Sequence, residues 1–348
     1  MRRFLLYLIK IGIPVILLIC SINLIITPEV IYKCDYMDRI IDMARQGYNT
    51  TNVESNLDER IFKKKYAELY KNHKIDYLIL GSSRLMPVSQ EAVKGASILN
   101  LAISGAKIED LIAIYQVSRD NHITASNVIL GIDPLFFNAN YGGEWWKAIA
   151  EYYYEFENIT DFVNYSKITD RLFSIDYFRL AINSIQNKGN DDTALFFTKN
   201  YINNGYTRRK DGAIYYPKDF REEEVDEVNN VAINFDIHEY AFDSLSTERI
   251  NMIEELIDSI QKKGSNIIIL CCPYHPIMYQ RISQRKCVQN TILYLNRLTE
   301  KKQIKMIGHY DPKIVGFSAK DFYDATHAKK ESIDTLLLDH LFLSDNDY

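Results

Sequence analysis

Short apolar runs, each closed by Gly, Ser, Asp or Pro, alternate with amphipathic stretches along most of this chain. Ile75–Leu80 is apolar at every position except Asp76, and Gly81-Ser82-Ser83-Arg84 follows it. Ala96–Ala102 is a second such run, ended by Ser104-Gly105, and Asn127–Ile132 a third, ended by Asp133-Pro134. Asn266–Cys272 is a fourth, ended by Pro273, and Ile304–Ile307 a fifth. Continuous apolar runs of this length predict strands buried on both faces. Between them, the spacing of apolar residues at 108, 111, 112, 114, 115 and 117 predicts a helix over Ile108–Arg119. Further helices are expected over Thr247–Lys262, around Val288–Lys301, and from Lys329 to Leu343. Strands alternating with helices predict an α/β fold, a flavodoxin-like three-layer sandwich around a parallel sheet.

The alternation is interrupted twice. Residues 138–245 are too long for a crossover helix and are expected to form an insertion or cap. Within it, Asp211-Gly212 between Tyr206 and Tyr215-Tyr216 predicts a hairpin turn. The second interruption is residues 29–74, polar and helical over Tyr36–Arg45 and Asp58–Tyr70, expected to lead into a body spanning 75–348.

At the amino terminus, Met1-Arg2-Arg3 precedes an apolar stretch, and Ile11–Thr27 carries no charge. Seventeen helical residues span roughly 26 Å, close to the apolar thickness of a bilayer. Pro14 is tolerated in a membrane helix. Arg2, Arg3 and Lys10 lie before the stretch, and Glu29, Asp35 and Asp38 after it. This predicts a single-pass anchor over residues 1–28, with a cytoplasmic amino terminus and an extracytoplasmic body. No clean small-residue cleavage site follows, which favours an uncleaved anchor over a signal peptide.

Composition then narrows the function. With 348 residues and a net charge of −5, the chain has no basic bias, and nucleic acid is not an expected partner. Among five Cys there is no C-x-x-C pair, and neither a metal-ligand cluster nor a Gly-rich phosphate loop appears, so no metal or cofactor is expected. Cys271 and Cys272 end a strand-like run and read as buried thiols, although an exported body would permit a disulfide, for example to Cys287.

The candidate chemistry lies at two distant points. Ser82 and Ser83 sit at the carboxyl end of the first strand, where open α/β sheets bind ligands. Asp324-Ala-Thr-His327 precedes the last helix. A serine hydroxyl needs a base to become a nucleophile, and a carboxylate holds that base in the right tautomer.

These residues resemble the SGNH/GDSL hydrolase superfamily: Gly81-Ser82-Ser83-Arg84 after the first strand, Gly105 after the second, and Asp324-x-x-His327 before the final helix. The resemblance covers roughly residues 75–135 and 265–345. It implies Ser83 as nucleophile, His327 as base, Asp324 as its orienting carboxylate, and Gly105 as a backbone donor to the oxyanion. Within the superfamily the chain looks most like the membrane-anchored branch linked to cell-envelope acylation. That implies an acylated polysaccharide or glycan as substrate and a multi-span membrane acyltransferase as working partner.

Two positions depart from the pattern. Ser82 stands where the motif has Asp, which leaves Ser82 a rival nucleophile. Asp133 falls where an Asn donor to the oxyanion is expected, and a carboxylate there would repel an oxyanion. The candidate donors are then backbone N–H groups, Arg84 or Asn138, and His275, at the same sheet edge, is a candidate substrate contact. Arg208-Arg209-Lys210 reads as a solvated hairpin end. Trp145 and Trp146 are candidates for stacking on sugar rings. The resulting expectation is a serine esterase or O-acyltransferase; the alternative is a non-catalytic glycan-binding or scaffold subunit with the same fold.

Overall fold

The computed structural model describes residues 2–26, 34–53, 57–159, 172–186, 195–199 and 205–342. The strands, in chain order, are β1 (Asn49–Thr51), β2 (Lys74–Leu80), β3 (Ile98–Asn100), β4 (Thr124–Gly131), β5 (Phe196–Thr198), β6 (Thr207–Arg208), β7 (Ile214–Tyr215), β8 (Asn266–Cys271) and β9 (Lys305–Gly308). Five of them form one parallel sheet in the order β3-β2-β4-β8-β9. The two strands that follow β2 in this sheet lie on opposite sides of it. The crevice beyond the carboxyl end of β2 is therefore a topological switch point, where such sheets bind ligands.

Alternation of side chains along a strand sends neighbours to opposite faces. Leu78, Leu80, Val128, Leu130, Ile267 and Ile269 join one core, packed under the helices Ile108–Asp120 and Thr247–Lys262. Ile79, Ile129, Ile268 and Leu270 join a second core with Ile333, Leu336 and Leu337 of the helix Lys330–Phe342. Both faces are covered, as the unbroken apolar runs predict.

The other four strands form an antiparallel sheet, β5-β1-β6-β7. The expected hairpin at Asp211-Gly212 is its β6–β7 pair. The strand Asn49–Thr51 has no apolar pattern, and its pairing partners lie some 150 residues away in the chain. The segment around it is packed into the body: Met37, Ile40, Phe62 and Tyr66 are all buried in the first core. Arg208 and Arg209, expected at a solvated hairpin end, are buried. Arg208 pairs with Glu59, and Arg209 donates to Glu91 at 2.6 Å.

The amino-terminal helix is present over Arg2–Ile25. Of the expected anchor, residue 1, the side chains of residues 2–9, and residues 27–28 lie outside the described residues. Among the described residues no helix is long and apolar enough to cross a membrane. Cys271, Cys272 and Cys287 are buried free thiols, so the disulfide that an exported body would permit is not formed among them.

Candidate active site

Gly81 closes β2, and the next residues form a 3-10 turn, Ser83–Leu85. The turn is tight because two glycines lie beneath it. A Cβ on Gly131 would stand 2.5 Å from Leu85 Cδ1, and one on Gly81 would stand 3.1 Å from Leu85 Cδ2. Leu85 fills the space that these missing side chains leave, which tucks the turn under and lifts Ser83 to the rim. Asn100, fully buried at the end of β3, donates its amide to the carbonyls of Leu85 and Val88, each at 2.8 Å. Buried carbonyls left without a donor are costly, so one Asn side chain fixes the path of the chain after Ser83.

At the other end of the sequence, Tyr323 N–H donates to His327 C=O at 2.8 Å and closes a tight loop. Asp324 Oδ1 accepts the N–H groups of Thr326 at 2.7 Å and His327 at 2.8 Å. Its other oxygen accepts from His327 Nδ1 at 2.7 Å, and His327 Nε2 lies 2.8 Å from Ser83 Oγ. Asp324 is therefore engaged within its own loop and does not cap the following helix. Burial works against its charged form. The His327 ring and the two N–H donors outweigh this and hold the carboxyl at a pKa of about 2. The ring is consequently held with hydrogen on Nδ1 and a lone pair on Nε2, aimed at the serine hydroxyl. His327 and Asp324 side chains each retain 21% exposure, so the pair is open to a ligand.

The two serines separate clearly. Ser82 Oγ donates to Asp133 Oδ2 at 2.6 Å, away from the histidine. Asp133 also pairs with Arg84, whose guanidinium donates further to the carbonyls of Cys272, Pro273 and Thr326, the last at 3.0 Å. That guanidinium lies 4.0 Å over the Tyr274 ring. Burial opposes the charge of Arg84, but Asp133 more than offsets it and pushes the pKa up. The carboxylate that would repel an oxyanion is thus neutralised in place, and the pair ties β2, β4 and β8 to the histidine loop.

Three expectations are corrected here. Arg84 is buried with its donors turned into the protein, so it does not serve as an oxyanion or substrate contact. Asn138 donates to Glu239 C=O at 3.0 Å and accepts from Asn140 N–H at 2.9 Å, which ties its own loop, and nothing joins it to Ser83. His275 is fully buried and caps the helix Pro276–Ile282, its Nδ1 accepting from Ile277 N–H at 3.3 Å. It supports the Asp324 loop from beneath, donating its backbone N–H to Ala325 C=O at 3.2 Å. Burial lowers its pKa, against the pull of Asp324.

Gly105 lies on the loop after β3. The β2–β3 ladder continues past its formal end, with Ile103 N–H donating to Gly81 C=O at 3.0 Å, so the Ser104-Gly105 loop runs beside the serine turn. Gly105 has φ of +59°, the left-handed region. Neither its N–H nor that of Ser83 is engaged by another group among the described residues. Two such donors beside a serine can stabilise a developing oxyanion.

The insertion contributes one residue that no sequence signal marked for the site, Tyr216, and the two tryptophans that were marked. Tyr216 lies edge-on to the His327 ring at 6.4 Å and packs with Phe220 and Tyr323. Trp145, 65% exposed, rests against Gly105, while Trp146 is buried among Tyr153 and Tyr154. The two tryptophans therefore part company. A cleft of about 500 Å³ between Gln116, Arg119, Glu155 and Lys262 shares no residue with this site. Among the described residues no group of His, Cys, Asp and Glu is arranged to hold a metal ion.

No protein-family model matches the chain, and no curated protein matches it either.

Proposed function

We propose that the protein is a serine esterase or O-acyltransferase of the SGNH type, anchored in a membrane with its body outside the cytoplasm. The observation that carries the reading is the continuous Ser83–His327–Asp324 relay, at 2.8 and 2.7 Å. Ser83 Oγ attacks an ester carbonyl as His327 Nε2 takes its proton. The tetrahedral oxyanion is met by the N–H groups of Ser83 and Gly105. The ester C–O bond breaks, the leaving alkoxide takes the proton from His327, and the acyl group stays on Ser83. Water or a sugar hydroxyl, deprotonated by His327, then attacks the acyl-enzyme and restores the serine.

A ring-shaped acceptor is supported by Trp145, an exposed indole beside Gly105, because sugar rings stack on such faces. The membrane anchor is supported by the helix Arg2–Ile25, on which Ile11, Ile13, Ile16, Leu17 and Leu18 are exposed. Apolar side chains in that density are favoured in lipid and disfavoured in water. The partner fitting this reading is a multi-span membrane acyltransferase that supplies acyl groups, with an acylated envelope polysaccharide as substrate.

Incubating the body with a chromogenic acetyl ester, with and without acceptor glycan, tests it. Hydrolysis that Ser83→Ala abolishes is expected. Diversion of acetyl to glycan favours the transferase, and turnover that never reaches glycan favours the esterase. Wild-type protein with no turnover above Ser83→Ala contradicts both.

A further inference from the structure

The Gly105 N–H works as an oxyanion donor only if its peptide plane is held, and a glycine holds nothing by itself. The group that holds it comes from outside the parallel sheet. Asp58 caps the helix Glu59–Ala67, its Oδ1 accepting the N–H groups of Arg60 at 2.9 Å and Ile61 at 3.0 Å. Phe62 and Tyr66 bury one face of that helix in the core. This fixes Arg60, 4% exposed, against the Ser104-Gly105 loop.

Arg60 uses its planar fork in two directions. Nε and Nη2 grip the carboxylate of Asp110 at 2.8 and 3.0 Å. Nη1 donates to Ser104 C=O and Nη2 to Gly105 C=O, both at 3.3 Å. Asp110 also accepts Lys107 N–H at 2.8 Å, which fixes the far end of the same loop. In a trans peptide the carbonyl of one residue and the N–H of the next point in opposite directions. Pinning Ser104 C=O on Arg60 therefore turns Gly105 N–H the other way. Gly105 has a left-handed φ of +59°, and its carbonyl and that of Ser104 both face the Arg60 guanidinium. Arg60 thus fits the conformation that leaves the N–H outward.

We propose that Arg60 is the positioning residue of the oxyanion hole, acting through the backbone of Ser104 and Gly105 and touching no substrate. The inference rests on the proposed ester chemistry. Lys cannot replace Arg here: a single ammonium can pair with Asp110 but lacks the planar fork that also spans two carbonyls.

The test compares wild type, Ser83→Ala, Arg60→Lys and the double variant Arg60→Met/Asp110→Asn. The double variant removes the clamp without stranding a buried charge and keeps an oxygen for Lys107 N–H. Each is assayed for acetyl ester hydrolysis, for thermal unfolding and for affinity for an alkyl boronate, which mimics the tetrahedral oxyanion. For the folded Arg60 variants we expect kcat to fall about 30- to 300-fold with KM within about threefold, and boronate affinity to fall in parallel with kcat/KM. Loss of a purely structural contact would move the unfolding temperature without that parallel. Active wild type with kcat and boronate affinity within about twofold in either folded Arg60 variant overturns this inference alone. Wild type no more active than Ser83→Ala overturns the enzyme reading and this inference with it.

Discussion

The two sheets do different work. The five-stranded parallel sheet ends at the candidate site: β2 delivers Ser83, the β3 edge carries Gly105, and β4 and β8 close around Asp133 and Arg84. The four-stranded antiparallel sheet delivers none of the proposed triad, yet it braces the loops that do. Its hairpin presses onto the end of β3, where Asn100 N–H donates to Asp211 C=O at 2.8 Å. Ile214 N–H donates to Met86 C=O at 2.9 Å, just beyond the serine turn. Lys63, fully buried, donates to both Asn100 C=O at 2.8 Å and Gly212 C=O at 2.6 Å, so it joins the two sheets. The lesson is a division between the residues of the candidate site and the residues that hold them in place. The second group is drawn largely from the amino-terminal segment and the insertion.

The comparison breaks most sharply at Ser83. Ser83→Ala is expected to lower kcat about 10⁴-fold or more while leaving thermal stability within about 1 kcal/mol. In barrier terms, 10⁴-fold is about 5.5 kcal/mol. Steady-state kinetics beside a melting curve checks it, and a large loss of stability in this variant would mean that the two roles are not separate.

The reverse pattern is expected on the other sheet. Gly212 has φ of +85°, and a Cβ there would stand 2.4 Å from Asn100 O. Gly212→Ala therefore combines left-handed strain with a backbone clash, costing about 3 kcal/mol. Denaturant unfolding reads this cost. Activity per folded molecule should fall less than stability does, because no reacting group is removed.

A smaller effect sharpens the first half. Asp324 has its carboxyl held at a pKa of about 2, below the usual range. A carboxylate lowered in the folded state contributes stability above its unfolded pKa and loses it as pH falls through the folded one. The loss should therefore run from about pH 4 down through about pH 2 and amount to roughly 2 kcal/mol. Asp324→Asn should remove that acid-sensitive component, which unfolding measured across the range would reveal.

Lys63 gives a slope of the same sign on the bracing side, as a penalty relieved when pH rises. Burial brings its pKa down to about 7, with Glu59 and Asp211 resisting. The unfolded chain then binds the extra proton between about 7 and 10.5, so this residue's contribution to stability grows as pH rises through that window.

Much of the parallel sheet was legible because each strand is a local apolar run closed by a breaker. Ser83, Asp324 and His327 were legible for a similar reason, as each sits in a short motif beside such a run. What joins distant segments was not legible. Asp133 looked hostile to an oxyanion until Arg84, 49 positions away, was seen to neutralise it. Arg208 and Arg209 looked solvated because their partners Glu59 and Glu91 lie more than a hundred residues earlier. The strand Asn49–Thr51 carries too few residues to show a period, and its burial comes from pairing, not from its own side chains. Arg60 had no signal at all, since its role is to grip backbone carbonyls that any residue supplies.

The central claim is that Ser83, and not its neighbour, is the nucleophile. Treating the protein with an alkyl fluorophosphonate and mapping the adduct by peptide mass spectrometry tests it most directly. One adduct on Ser83 is expected, absent in Ser83→Ala and strongly slowed in His327→Ala. No adduct on the folded wild-type protein, or an adduct on Ser82 that survives Ser83→Ala, would contradict the account.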